Sequence, residues 1–526
     1  MLKNLFQRVS QAPTRPPSAA GGPKTFDVAD LYRGPIDAGE PVDTATGLDE
    51  KLRQAYFWIV NHAIISPHYD IEYNTTPPQR YQIGDSKAVV TLPTGQSYSS
   101  FVLLPLLNFA VRRRCLLVGG PGRGKTASAV LMGLLAGYPL DEVHRAIQHG
   151  QPQMTISDLL GNPLPADLIG AQSMSDIRIS WRKWLGMRVK IIDEYNRIPT
   201  RTQSALLTVL ADNYAEILDH TYECPEAAWY LTANDDAGGG TYAVIEALRD
   251  RIDVTVHALH FNSRFVRDLL VRVEEGLRPE QVMPQRLVFT VAEMDAMKNA
   301  IRQVTLPAPL RRRLEFFASQ FELCELGGAQ IEYRTKDTVK LAGADFAILS
   351  AQETGRDRLR DLGTQTRNGV SVRALMSALE FAKALAWFRG NASVELDDLR
   401  NVLPFVLHDK LEPNHEAPFF DAPGNGIYRV DRVSWLRLLF DSACAEYDRL
   451  QLDTADPVAA LQEELAQGLD GVSENEARAR IVRIERLMAE QARGAKLYGH
   501  VYDDVLALKY MHQRYTNYLS WLQWSS

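Results

Sequence analysis

The stretch CLLVGGPGRGKTASAV, Cys115 to Val130, decides the fold. Gly119 to Thr126 fits the spacing G-x-x-x-x-G-K-[ST]; the apolar run Leu116 to Val118 precedes it and a helical pattern follows. A strand, a glycine-rich turn and a helix in that order make a cradle for phosphate. Gly119, Gly122 and Gly124 let the backbone turn tightly and aim its N–H groups at one point. The positive end of the following helix adds to the field. Gly119, Gly120, Pro121, Gly122, Arg123, Gly124, Lys125, Thr126 and Ala127 are therefore the expected nucleotide-binding segment. Lys125 is expected to reach the β- and γ-phosphates of ATP, and Thr126 to bind Mg²⁺.

A second stretch answers the first. Val189 to Asn196 reads VKIIDEYN, a short β-pattern ending in two acids. At the C-terminal edge of a parallel sheet such acids stand beside the nucleotide. Asp193 is the expected metal ligand, and Glu194 the base that orients the attacking water. Lys190 interrupts the apolar run and is expected at the strand's wetter end.

From here a family resemblance becomes specific. DEYNRIPTRTQSALL, Asp193 to Leu207, resembles the stretch of MoxR-type AAA+ ATPases in which DE(I)NR precedes P-x-x-x-Q-x-A-L-L; Pro199, Gln203, Ala205, Leu206 and Leu207 match. Tyr195 replaces the usual aliphatic residue. GTYAVIEALRDRI, Gly240 to Ile252, resembles GTY-x-LPEA-x-LDRF, with Gly240, Thr241, Tyr242, Glu246, Ala247, Asp250 and Arg251 in register. GVSVRA, Gly369 to Ala374, resembles G-x-S-x-R-A. The resemblance implies that Asn234, at the end of WYLTAN, helps hold the attacking water. It implies that Arg251 is an arginine finger contacting ATP in a neighbouring subunit, with Arg249 as the alternative. Arg373 matches a lid residue that touches the γ-phosphate in cis. The resemblance covers residues 100 to 270 and 365 to 411.

The remainder sets the organisation. Residues 12 to 23 are rich in Pro, Gly, Ser and Ala, and 1–35 read as a flexible leader. Residues 36–100 read as an arm: a helix with Leu48, Leu52, Ala55 and Ile59 on one face, then a hairpin-bearing insertion. Alternating β and helical patterns over 101–262 give an α/β ATPase core. Residues 263–411 read as a mainly helical lid with a hairpin near 329–341, 412–427 as a linker, and 428–526 as a C-terminal helical domain. Ser473 with Glu476 forms a capping box ahead of an amphipathic stripe.

Composition narrows the class. The chain has 526 residues, 45% of them apolar, and a net charge of −7, which argues against an electrostatic nucleic-acid binder. Its four cysteines have no metal-ligand or redox spacing. No apolar run reaches the roughly 18 residues of a membrane span. The opening MLKNLFQRVSQAP has no apolar core, so no signal peptide is expected and the protein is expected in the cytoplasm.

Several features carry a bland reading beside a sharper one. Arg112 to Arg114 read as the cationic end of a helix, against a nucleic-acid patch. His144 and His149, five apart in an expected strand, fall on opposite faces and not on one metal. Asn162 to Ser180 reads either as a pore-lining insertion or as a plain surface hairpin. The aromatic residues from Tyr498 to Trp524 read as packing or as a docking surface.

The expected fold is thus a doubly wound α/β P-loop AAA+ core with an all-α lid, an N-terminal arm and a C-terminal helical domain. The expected function is ATP hydrolysis coupled to remodelling or maturation of a partner protein. A finger acting in trans implies a homo-oligomeric ring, and the resemblance implies six subunits and a von Willebrand A domain partner. The alternatives are an assembly switch with little turnover and a DNA-remodelling motor.

Overall fold

The computed structural model describes residues 47–85, 88–164, 177–234, 246–276, 278–353, 359–453, 456–494, 497 and 499–525. The leader at 1–35, the start of the arm and the matching residues Gly240, Thr241 and Tyr242 lie outside them.

Helix α1 (Leu48–Trp58) runs into one π-helical turn, Ile59–Ala63. Leu52, Ala55 and Ile59 are buried, so its apolar stripe is the expected one. Strands β1 (Ile71–Glu72), β2 (Gln79–Gln82), β3 (Val89–Leu92) and β4 (Ser97–Tyr98) follow. Antiparallel pairing of β1 with β4 and of β2 with β3 makes the hairpin-bearing arm. Helix α2 (Ser100–Val111) is buried along its whole length and ends at Arg112 in a left-handed conformation.

The α/β region contains β5 (Arg114–Val118), helix α3 (Lys125–Leu135) and β6 (Gln148–His149). A small antiparallel pair, β7 (Gly161–Pro163) with β8 (Ile179–Trp181), closes the base of the insertion; residues 165–176 at its centre lie outside the described set. Next come β9 (Val189–Asp193), helix α4 (Thr200–Asp212), the hairpin β10 (Tyr214–Ile217) and β11 (His220–Glu223), then β12 (Ala228–Ala233). Helix α5 (Glu246–Arg251) leads into β13 (Val254–His257). Five strands form one parallel sheet in the order β13-β5-β12-β9-β6.

Both faces of this sheet are covered, which is why its strands read as near-continuous apolar runs. Cys115, Leu117, Val189, Ile191, Tyr230 and Val254 point into a core shared with α2, α3 and the lid. Leu116, Ile192, Trp229 and Leu231 point into a second core with Leu206 and Leu210 of α4. Lys190 is not at a wet end. It is buried on the second face, donates to the Met187 carbonyl at 2.5 Å and lies over the Trp229 ring. Its long apolar stem packs in the core while the ammonium reaches one backbone oxygen.

Helix α6 (Val266–Glu274) opens the lid and buries none of its residues. Helices Val291–Gln303 and Ala308–Ser319 follow. The expected hairpin near 329–341 is instead a 3-10 turn, Ile331–Tyr333, and a short helix, Lys336–Leu341. Thr335 caps that helix by accepting from the Thr338 amide at 3.0 Å. Lys336 turns inward and donates to the carbonyls of Gly363 and Thr366. These long-range bonds override the β-like local pattern. Helices α7 (Val372–Phe388) and α8 (Leu396–Leu407) pack into the first core.

The stretch expected as a linker, 412–427, contains Phe419 and Phe420, both buried in that core. Helix α9 (Arg432–Arg449) belongs to the same core through Trp435, Leu436, Leu439 and Phe440. A separate core begins at Val458, built by α10 (Pro457–Ala466), α11 (Glu474–Gly494) and α12 (His500–Ser525). The Ser473–Glu476 capping box is present in both directions. Of the aromatic residues, Tyr502 and Tyr515 are buried, while Tyr510 and Trp521 are exposed; Tyr498 is outside the described residues.

The arginine run is spoken for by carboxylates. Arg112 pairs with Asp295 at 2.5 Å, Arg113 with Glu380, and Arg114 with Asp253 at 3.3 Å. All four cysteines are buried thiols. No helix among the described residues is long and apolar enough to cross a membrane.

Candidate active site

The phosphate cradle lies at the C-terminal end of β5, between α3 and the ends of β9, β12 and β13. Gly119 has φ +150°, and a Cβ there would sit 2.8 Å from the Ala258 carbonyl, so only glycine fits where β13 passes. Gly122 and Gly124 also have positive φ, 72° and 78°. Arg123 donates to the Ala258 carbonyl at 2.9 Å, which ties the loop to the end of β13. The Lys125 ammonium lies inside the loop, 2.6 Å from the Gly119 carbonyl and 2.9 Å from that of Gly120.

The two acids stand opposite. Thr126 donates to Asp193 Oδ1 at 2.9 Å, and Thr232, from the neighbouring strand, donates to the same oxygen at 2.6 Å. Thr126 and Asp193 thus present two hard oxygens side by side. Mg²⁺ is held in this way, by one or two protein oxygens completed by phosphate and water. Among the described residues there is no cluster of three or more His, Cys, Asp or Glu that could hold a metal by itself. The donor set therefore fits an ion that arrives with a nucleotide.

Glu194 has a left-handed backbone, φ 52°, fixed by its amide donating to Thr232 Oγ1 at 2.9 Å. That turn swings its carboxylate away from β9 and towards β12. There Asn234 Nδ2 donates to Glu194 Oε1 at 2.7 Å, and Arg197 Nε approaches Oε2 at 3.2 Å. Asn234 Oδ1 accepts from Lys125 at 3.0 Å. Lys125, Thr126, Asp193, Glu194 and Asn234 are thus brought together at one edge. Tyr195 is not part of this group: it packs in the second core, where burial pushes its phenol up.

Two neighbours of this group were not assigned to it from the sequence. His149 lies on β6 in register with Asp193, and its Nδ1 is 3.4 Å from Asp193 Oδ2. His144 is on the preceding helix, Leu140–Ala146, so the two histidines never share a strand. Gly150 donates its amide to the Asp193 carbonyl at 2.7 Å, and a Cβ there would lie 2.2 Å from the Glu194 carbonyl. The available signal was a glycine directly after a β-pattern.

The arginines do not join this group. Asp253, just before β13, accepts from the Arg114 amide at 3.0 Å and from Ser377 Oγ at 2.6 Å. These bonds fix the first turns of α7 at the N-terminal edge of the sheet. The cradle leaves β5 at its other end, about 13 Å away at roughly 3.3 Å per residue. Arg373 is in the first turn of α7 and pairs with Asp250 of α5. The docking of α7 on α5 thus holds Arg373 on Asp250, apart from the residues grouped at the cradle. Arg251 is on the same helix and donates to the Ala247 carbonyl at 3.0 Å. Arg249 instead lines a cavity of about 600 Å³ with Asp409 and Lys410.

A parallel sheet in this order, carrying this cradle, these acids and a helical lid, defines a P-loop AAA+ protein. Residues 114–254 match the family model of ATPases associated with various cellular activities (AAA), and 362–424 match the AAA lid domain. The chaperone MoxR1 of Mycobacterium tuberculosis is 25% identical over 316 residues, 59% of this chain and 71% of that protein. The protein MoxR of Paracoccus denitrificans is 25% identical over 340 residues, 60% of this chain and 86% of that protein. A crystal structure of an assigned ATPase from Cytophaga hutchinsonii is 19% identical, covers 64% of this chain and 89% of its own, and has a TM-score of 0.44. On the family models and the two relatives, the chain is similar to the MoxR-type AAA+ ATPases, at modest identity.

Proposed function

We propose that the chain hydrolyses ATP with Mg²⁺ at a site shared between two copies, in a ring, and uses the cycle to remodel or mature a partner protein. One observation carries this reading. The phosphate-facing residues occupy one edge of the sheet, and Arg251 and Arg373 occupy the other. Arg251 is held by the Ala247 carbonyl and Arg373 by Asp250, and this placement supports the reading that both serve a neighbour's cradle. A head-to-tail contact of this kind closes into a ring or grows into a filament. Six subunits, a von Willebrand A domain partner and a cytoplasmic setting are the family's expectation for it; the name chaperone of the relative MoxR1 agrees with the remodelling role.

Within the shared site each residue has a distinct task. Gly119 to Ala127 wrap the phosphates, and Lys125 leaves its loop carbonyls for the β/γ oxygens. Thr126 and Asp193 hold Mg²⁺, which neutralises charge on the phosphates when bound. Glu194 takes the proton of the attacking water, with Asn234 aligning both. Arg251 and Arg373 of the adjacent copy meet the charge that develops on the transferring group; a guanidinium suits this because it stays charged and offers a planar fork of donors.

The test is the Glu194→Gln variant in ATP, examined by light scattering and by capture of a von Willebrand A domain protein. A closed assembly that retains ATP and the partner is the expected result. A monomer at every concentration, combined with full turnover by the wild type, would refute the shared site.

A further inference from the structure

We infer that Asp250 is a positioning residue for catalysis, the clamp that holds Arg373 against α5, the helix that also carries Arg251. The inference rests on the shared-site reading above. Helix α5 is short, and its first and fifth residues, Glu246 and Asp250, lie on one face at helical spacing. Both reach across to the lid. Glu246 pairs with Lys340 of the helix Lys336–Leu341, and Asp250 pairs with Arg373 of α7. Asp250 also accepts from Ser371 Oγ at 3.0 Å, and Ser371 is the cap of α7, accepting from the Ala374 amide at 3.2 Å. One carboxylate thus fixes both the start of the lid helix and the arginine two residues further on.

The manner of holding matters. Arg373 gives Asp250 one terminal nitrogen, Nη1, and its side chain remains 45% exposed. Arg251 gives Nη1 to the Ala247 carbonyl, also on α5. Each guanidinium is pinned by one donor of its fork, which leaves Nη2 free to turn outward. Two long arginines without such tethers lose rotamer freedom only on meeting phosphate; tethered ones have already lost it. Position counts for much here, since a displacement of about 1 Å at a reacting centre can cost on the order of 10²-fold in rate.

The experiment uses the full chain. Asp250→Ala and Asp250→Asn are measured for ATP affinity, for turnover, and in mixtures with other variants; Asn keeps the size and can still meet Ser371, so it serves where Ala does not fold. The expected result is a fall in kcat on the order of 10- to 100-fold, with ATP affinity unchanged. Activity should return on mixing with Lys125→Ala, which has an intact arginine edge, and not on mixing with Arg251→Ala, which is defective on the same edge. The exchange Asp250→Arg with Arg373→Asp restores the ion pair but removes the arginine from its place, and should stay inactive. Three outcomes overturn the inference: wild-type turnover in both Asp250 variants, recovery with Arg251→Ala, or full activity of the exchanged pair. If any of these occurs while Arg251→Ala and Lys125→Ala still complement each other, the shared site stands and only the clamp falls.

Discussion

The Asn234 amide donates to the Glu194 carboxylate at 2.7 Å. Its oxygen accepts from the Lys125 ammonium at 3.0 Å, so both ends of one amide are used. Only this orientation is chemically sound, because an NH₂ group must face the carboxylate and a carbonyl the ammonium.

Asn234 is thus the link between the cradle and the water-activating acid. Asn234→Ala should lower turnover by about 10² while ATP still binds, the scale expected when a positioned polar group is lost from a catalytic centre. Asn234→Asp should be worse than Ala: it places a second carboxylate beside Glu194, disfavours two charges there and removes the donor. Steady-state turnover of the two variants checks this. Equal rates would show that Asn234 does not act on Glu194.

Lys190 gives a pH-dependent prediction. Burial lowers its pKa from the ordinary 10.5 to about 8. Below about pH 8 both folded and unfolded chains hold the proton, and the folded chain bears the full cost of the buried charge, on the order of 3 kcal/mol. Between pH 8 and 10.5 the unfolded chain binds more protons than the folded one, so this cost fades and stability rises. Lys190→Met fills the site without a charge but leaves the Met187 carbonyl without its donor, a loss of about 1 kcal/mol. The variant should be the more stable at pH 7, by roughly 1–2 kcal/mol, with the difference shrinking towards pH 10. Urea unfolding at the two pH values reads it directly; a difference that grows with pH would contradict the assignment.

The packing also dictates where the chain can be cut. Trp435, Leu436, Leu439 and Phe440 fill the first core, whereas Val458, Leu461, Ile484 and Leu508 belong to the third. A chain ending at 456 should fold and keep its ATP turnover. A chain ending at 427 should not fold, because each large apolar side chain removed from a core costs about 2–5 kcal/mol. Soluble expression and thermal melting of the two separate these outcomes.

The contrast shows what the sequence made legible. The cradle and the acid pair could be read because each is a contiguous motif at the end of a strand, where local chemistry fixes the side chain's place. The alternation of Leu116, Leu117, Ile191 and Ile192 between two cores likewise follows from strand geometry. The position of Arg373 was not legible. Its motif places it at the start of a helix, but the bonds that dock that helix come from Asp250 and Asp253, more than a hundred residues away. Lys336 was hidden for the same reason, since the carbonyls that accept from it belong to Gly363 and Thr366; Lys190 was hidden because its burial comes from the packing of Trp229 on the neighbouring strand, although its acceptor, Met187, is close in sequence. His149 was weighed only against His144 and set aside with it, because its partner is Asp193, and only the register of β6 with β9 brings the two together.

The opposite placement of cradle and arginines makes the shared site open to a mixing test. Lys125→Ala removes the cation that faces the β/γ-phosphates, so its own site should bind ATP poorly and stay inactive. Its Arg251 and Arg373 remain intact for a neighbour. Arg251→Ala has the converse defect, a sound cradle and acid pair that can serve only where another copy supplies the finger. Each protein alone should be inactive, since a finger is worth on the order of 10³ to 10⁵ in rate. Mixed under conditions that exchange subunits, they form some interfaces with a sound cradle on one side and a sound finger on the other, and turnover should reappear there. The recovered rate should peak at an intermediate ratio, because such an interface needs one copy of each. If Arg249 were the finger, Arg251→Ala would keep most of its activity unmixed; its place in the cavity with Asp409 and Lys410 argues for the other outcome. Two inactive variants that recover nothing when their subunits demonstrably exchange would show that each chain completes its own site.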